Sequence, residues 1–405
     1  MKDFLFNKYS LKEFSIFLFY MAISLLALSD TGIQLLILIE IGPGSRSLRL
    51  TAMCILFIKV LLTRFSKKEF FILAPIATLA LYNYHISGNI FCVYTILVIA
   101  ASKDIDYTSL FKTLFYSTLF SIVFLGILSF WEIGSPLQLT EDFGRGMIET
   151  RYCFGLHHPN IWHQAIGRCI IFACIGYYKQ LNIVHLLILF VFNYFIYTLS
   201  ISRTGLIAIS IFLILLIFYK YLRKLMCTLF IKVLAFFGII SVYGLYLYFT
   251  YDFATTWTLN SQFFNWKVTN GRIQQALIYL KSNPINFFAS RFPDDGTVFD
   301  LGAYRLFYES GYIWATLFFL LFFVLIFIAS KRNWSIIIPV CVYFVFCSLY
   351  EFDPVTRPTY NIVAFFLPLL VFDSTAARFN SFMLSSQRKG NLKFPLSSSA
   401  KLIQK

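Results

Sequence analysis

Long apolar runs, broken by short basic or turn-forming segments, fill most of this chain. They fall at about Phe14–Ile41, Leu50–Thr63, Phe70–Tyr84, Ile90–Ala101 and Leu110–Trp131 in the first third. Ile161–Tyr178, Ile183–Leu199, Leu206–Tyr219 and Leu225–Phe249 follow, and Leu306–Ile328, Trp334–Tyr350 and Tyr360–Phe372 close the series. A helix needs roughly 20 apolar residues to cross a hydrocarbon core. The longer runs meet that length; Ile90–Ala101 is short, and Asp30-Thr31-Gly32 interrupts the first, which reads as one tilted helix with a local break. The fold class predicted is an all-α, polytopic transmembrane helix bundle of about twelve spans, within a range of roughly 11–13. Residues 1–378 form a single transmembrane domain with loops 132–160 and 251–303, and residues 379–405 form a basic, disordered tail. Between Gln274 and Leu280 the second loop is amphipathic, as a helix lying on the membrane surface would be. The spans show no internal repeat, which a transporter built from inverted halves would carry.

Composition agrees with this pattern. Hydrophobic residues make up 59% of the 405 and charged residues 13%, against roughly 25% charged in a soluble domain. Such a chain cannot cover itself with polar surface in water. The net charge of +15 would suggest nucleic-acid binding in a soluble protein, but here it fits the basic bias of cytoplasmic loops. Clusters at Lys8, Arg64, Lys103, Lys179, Arg223, Lys331 and the tail all fall on one side under this span count, so both termini are expected in the cytoplasm. The loops 132–158, 251–303 and 351–359 then face outside, the large one lying between the ninth and tenth spans. The start of the chain reads as an uncleaved first span, because no small-residue cleavage site follows it. Of the eight cysteines, only Cys153 lies in a polar loop, and no spacing suggests a metal site or a disulfide framework.

The expected outer side carries Arg46, Arg49, Arg145, Arg151, Arg203, Arg272, Arg291, Arg305 and Arg357, against the bias that orients the chain. Arginine presents a planar fork of donors that fits phosphate oxygens. An outer cavity lined this way suits an anionic substrate such as a diphosphate; local pairing, as of Arg145 with Asp142 and Glu149, is the alternative for any one of them. Charges deep in spans are few: Asp30, Glu40, Lys59 and Lys232, with Asp30 expected to cap the break and the lysines to reach the interface. In Arg151-Tyr152-Cys153-Phe154-Gly155-Leu156-His157-His158-Pro159-Asn160, Pro159 turns His158 away from helix and Asn160 caps the span that follows. The histidines then stand at a helix mouth that favours an anion. A second break, Ser200-Ile201-Ser202-Arg203-Thr204-Gly205, is a tight turn capped by Ser202 or Thr204.

These residues resemble a family. Gly155–Asn160 is similar to the Gly-Phe-x-His-Pro-Asn motif of Wzy-type polysaccharide polymerases, which belong with the O-antigen ligases; Arg151 fits ahead of it. Ser202-Arg203-Thr204-Gly205 resembles the family's Ser-Arg-x-Gly turn, Asn270-Gly271-Arg272 the arginine opening its large outer loop, and Asp300, Tyr304 and Gly311 the stretch closing that loop. Two departures stand out: Leu301–Ala303 lacks the asparagine beside the aspartate, and the chain has no histidine where the ligases place one, which favours polymerase over ligase. The resemblance implies a glycosyltransferase of the bacterial plasma membrane that joins undecaprenyl-diphosphate-linked repeat units on the outer face, needing no cofactor, metal or nucleic acid. Its expected partners are the lipid-linked glycan, the bilayer, a flippase and a chain-length regulator. His158 and Asp300 compete for the base; Arg151, Asn160, Arg203, Arg272, Arg291, Tyr304 and Arg305 are the expected substrate contacts. A ligase, or a flippase of lipid-linked oligosaccharide, is the alternative function.

Overall fold

The computed structural model describes residues 8–32, 47–143, 146–222, 229–269, 271–282, 284–290, 301–351 and 357–389. The helices are α1 (Lys8–Thr31), α2 (Ser47–Leu61), α3 (Lys67–Ser87), α4 (Phe91–Ala101), α5 (Tyr107–Phe130), α6 (Pro159–Gly176), α7 (Ile183–Ser200), α8 (Arg203–Tyr221) and α9 (Leu229–Thr255). A short helix, α10 (Leu259–Phe263), and a π-turn lead to α11 (Arg272–Ser282), followed by α12 (Gly302–Arg332) and α13 (Ile337–Tyr350). A 3-10 turn over Ile362–Phe365, α14 (Pro368–Val371) and α15 (Asp373–Lys389) close the described chain. Over its described residues, each apolar run of the sequence meets at least one of these helical segments. Among the described residues, six helices are long and apolar enough to cross a membrane, or seven if the bent Ile362–Ser385 pair counts as one span. The chain is a multi-pass helical membrane protein.

Local chemistry explains most helix starts. Ser66 and Glu69 form a reciprocal capping box at α3: the Ser66 hydroxyl accepts from the Glu69 N–H (3.3 Å) and the Ser66 N–H donates to the Glu69 carboxylate (2.6 Å). The Asp106 carboxylate accepts from the Ser109 N–H at the head of α5 (2.8 Å), and Ser202 caps α8. The basic residues gather at one end of the bundle. Lys103 donates to the Arg64 carbonyl (2.7 Å) and pairs with Glu69 (2.5 Å), Arg378 donates to the Asp104 carbonyl (2.6 Å), and Lys220 to the Tyr178 carbonyl (2.5 Å). An aromatic core sits just above this lysine-bearing end. Tyr107 stacks on Phe366 and donates to the Phe365 carbonyl (2.8 Å), and the Trp334 indole N–H donates to Asn380 on α15 (2.5 Å).

Four expectations change. The chain is not all-α: β1 (Gln138–Asp142) and β2 (Ile148–Tyr152) pair antiparallel within the 132–160 loop. Alternating Thr, Ile and Tyr side chains favour extended backbone, and Thr140 and Thr150 hydrogen-bond across the pair (2.9 Å). The tail expected to be disordered from residue 379 is helical to Lys389, because Ala376, Phe379, Phe382 and Met383 line one buried face of α15. Asp30 does not cap the break at Thr31; it bonds to Thr359 and Arg49 instead. The amphipathic α11 turns its apolar face inward: Ile273 and Ala276 pack with Phe253, Leu301, Tyr308 and Leu349 in a second, smaller core.

Candidate active site

The end of the bundle opposite the lysines holds the hairpin and the start of α6. Pro159 occupies the first turn of α6, where its fixed φ suits a helix and its missing N–H costs nothing. That puts the cap one residue earlier, on His158, whose backbone is extended (φ −150°, ψ 140°). His158 is therefore the capping residue, in place of Asn160. Its Nδ1 accepts from the Asn160 N–H at 3.2 Å, so the Asn160 main chain joins the site through this bond.

The hairpin brings Arg151 to the same place. Arg151 is buried and forks onto Glu149, with Nε at 2.9 Å and Nη2 at 2.5 Å from one carboxylate oxygen. Its guanidinium lies 3.9 Å from the centroid of Phe143, just past β1, and the His158 ring meets that same phenyl edge-on at 5.9 Å. Phe143 is thus a bridge between the arginine and the histidine, and nothing in the motif pointed to it.

Arg272, the first residue of α11, acts on the same imidazole through its charge. Its place is set by the buried Ile273 and Ala276 on α11, and its Nη2 lies 3.4 Å from the Glu351 carboxylate at the end of α13. The start of α12 closes onto that point: a Cβ at Gly302 would overlap the Glu351 carbonyl oxygen, so only glycine permits the approach. Burial lowers the His158 pKa from its ordinary 6.5; Glu141 opposes this, while Arg151, His157 and Arg272 add to the lowering. Charges far apart in sequence thus act on one imidazole.

The tautomer of His158 follows from its cap. With the Nδ1 lone pair accepting a backbone N–H, the neutral ring carries its proton on Nε2. The ring can donate a hydrogen bond from Nε2 but has no free lone pair to act as a base. Because its folded pKa is depressed, the cap is intact above the unfolded value and is lost as pH falls through the folded one. His158→Asn keeps a capping side chain, so thermal melts should show it close to wild type at pH 7.5. His158→Ala should lose about 1 kcal/mol there. On acidification below 6.5 the wild type should lose that margin over His158→Ala.

The Ser202–Gly205 turn lies at the same end, since α7, which leads into it, packs on β2. His163 locks it: Nδ1 lies 2.8 Å from Ser200 Oγ and Nε2 3.0 Å from Asn193 Oδ1, and a Cβ at Gly205 would come within 2.6 Å of the imidazole. Both ring nitrogens of His163 are engaged in this packing. Arg203, the first residue of α8, is exposed and has no hydrogen bond or ion pair among the described residues. Tyr304 hydrogen-bonds to Thr250. Arg305 pairs with Glu309 one turn on (2.5 Å), and Glu309 also accepts from Asn89 (2.6 Å), which is the local pairing that competes with a substrate role. Asp300 and Arg291, like Arg46, Arg145 and Asn270, lie outside the described residues.

Beside the site, an apolar groove of about 520 Å³ runs between α5, α6 and α7, with Phe130, Phe154 and Trp162 among its lining. Phe154 stacks between Tyr152 of the hairpin and Trp162 of α6, tying the groove wall to the motif. In comparisons with known proteins, no family model, no curated protein and no solved structure matches this chain.

Proposed function

We propose that this protein is a membrane glycosyltransferase that polymerises oligosaccharide units carried on a polyprenyl diphosphate, working at the His158 end of the bundle on the outer face of a bacterial plasma membrane. The observation that carries the reading is the cationic surroundings of the His158 imidazole, which shares Phe143 with Arg151 and feels the charge of Arg272, beside an apolar groove. An anionic headgroup on a long isoprenoid chain needs both features. In the reaction, the bond between the growing glycan's C1 and the diphosphate oxygen breaks, and a bond from C1 to a hydroxyl oxygen of the next unit forms. The hydroxyl proton passes to a base, and the polyprenyl diphosphate leaves with the electron pair. Arg272 and the exposed Arg203 hold the departing diphosphate, where guanidinium forks meet the charge that develops. Arg151 and the Nε2–H of His158 add donors at its edge.

The base is then a carboxylate. Asp300 precedes Leu301 and Gly302 in sequence, and Gly302 packs directly on Glu351; these two acids are the candidates. Deleting the gene should abolish long surface glycan while single-unit product persists on gels. Restoring it as Asp300→Asn or Glu351→Gln identifies the base as the variant that fails to rebuild long chains at normal protein abundance. One observation favours a lipid-linked oligosaccharide transporter instead: a charged cluster lies deep in the bundle, around Asp30 and Arg168. In that case deletion would accumulate lipid-linked units on the inner leaflet and leave no single-unit product outside.

A further inference from the structure

That deep cluster holds a buried guanidinium, Arg168, with no carboxylate of its own among the described residues. Asp30, fully buried, accepts the N–H and the hydroxyl of Thr359, each at 2.8 Å, and pairs with Arg49 Nη2 at 3.1 Å. Arg357 donates to the Asp30 carbonyl at 3.1 Å. Arg168, about nine residues into α6, donates from Nη1 to the Thr359 hydroxyl at 3.1 Å and lies 3.2 Å from the centroid of Tyr360. Arg49 takes the Asp30 carboxylate, and the buried Arg168 reaches it only through the Thr359 hydroxyl.

Several of the donors meet no acceptor. Nε and Nη2 of Arg168, in a side chain only 1% exposed, are buried without a hydrogen-bond partner, as are Nε of Arg49 and the hydroxyl of Tyr94, which feels the charges of Asp30 and Arg49. A buried guanidinium is costly unless its charge and its N–H groups are satisfied, and an ionisable group at membrane depth marks a functional site by default. At about 1.5 Å per residue, Arg168 stands roughly 14 Å inward from Pro159 along α6, a separate level from the His158 site.

We infer that Arg168, Arg49 and Tyr94 form a second, deeper anion site that takes a phosphate or diphosphate group. Guanidinium and hydroxyl donors gathered around the Asp30–Thr359 pair and left without acceptors call for a ligand with several acceptor oxygens, and a buried guanidinium with no carboxylate of its own calls for an anionic one. The chemistry is shared by the diphosphate of a lipid carrier and the phosphate of a bilayer lipid. The site itself does not rest on the proposed polymerase reading; only the carrier as its source does.

The test uses the full chain in nanodiscs of neutral phosphatidylcholine and inorganic pyrophosphate as probe, with binding read by titration. In Arg272→Ala protein, which weakens the outer site, pyrophosphate binding should persist. Adding Arg168→Gln should weaken it at least about tenfold, as expected for loss of hydrogen bonds to a charged group. Should Arg168→Gln fail to fold, Tyr94→Phe, which keeps the shape and removes one donor, decides: binding several-fold weaker supports the site, and unchanged binding overturns it. Unchanged binding in a folded Arg168→Gln protein, or no binding in the Arg272→Ala parent, also overturns it. Competition by farnesyl diphosphate but not by discs containing phosphatidylglycerol assigns the site to the carrier; the converse assigns it to bilayer lipid. A chain that binds pyrophosphate deeply yet builds no polymer would sink the polymerase reading and leave this site standing.

Discussion

Replacing Arg272 by alanine should lower polymer formation roughly 100- to 1000-fold, the range seen when one preorganised donor to a developing anion is removed. Arg272 reaches the Glu351 carboxylate from α11 and lies close enough to His158 to depress its pKa. No other described arginine joins α11, α13 and the histidine in this way. Arg272→Lys should recover only part of the loss, because an ammonium keeps the charge but not the planar fork that fits two diphosphate oxygens. Polymer per molecule of protein in isolated membranes is the measurement. Wild-type polymer length and yield in Arg272→Ala would show that the arginine only braces Glu351.

The second large effect is on stability. Asp30→Ala should cost about 3–5 kcal/mol, the usual penalty for breaking a buried ion pair and leaving the partners without a counter-charge. The carboxylate ties the end of α1 to α2 through Arg49 and to the segment before the last apolar run through Thr359. Asp30→Asn should lose less, since its amide oxygen can still accept from Thr359. Arg49→Ala should also lose less, because that side chain is 28% exposed at its pair with Asp30. Thermal unfolding in a mild detergent reads all three. An Asp30→Ala protein that melts with the wild type would show that this network holds nothing together.

Much of the fold was legible in the sequence because lipid imposes a simple rule: a spanning segment must satisfy its own backbone, so apolar length reads directly as helix. Every apolar run from Phe14 to Phe372 meets a helical segment. The hairpin was missed although its signals were present. Gln138–Asp142 and Ile148–Tyr152 alternate β-favouring and polar residues around the Phe143-Gly144-Arg145-Gly146 stretch, but in a chain dominated by spans a polar loop carries little hydrophobic period. The site was legible in part. Arg151 and His158 sit in one motif, but the approach of Arg272 depends on α11 packing inward, which its amphipathic pattern alone does not distinguish from lying on lipid. Asn160 was misread as the cap because the advantage of proline in the first helical turn moves the cap back to His158.

Arg168 and Glu351 are the residues that sequence reasoning passed over. Arg168 had a signal, a charge well inside the run Ile161–Tyr178, of the kind that singled out Asp30 and Lys59. Glu351 had none, since a lone acid at the end of a span is ordinary until a packed neighbour shows what it faces. Phe143 belongs with it: its bridging of Arg151 and His158 exists only once the hairpin has folded.

Purified protein in vesicles that contain lipid-diphosphate-linked units as the only glycan should by itself make polymer, resolved on a gel alongside the released polyprenyl diphosphate. The expected result is a ladder that lengthens with time, one polyprenyl diphosphate released for each rung, and neither product with Arg272→Ala. Lipid-linked units that stay single while moving between the leaflets would contradict it.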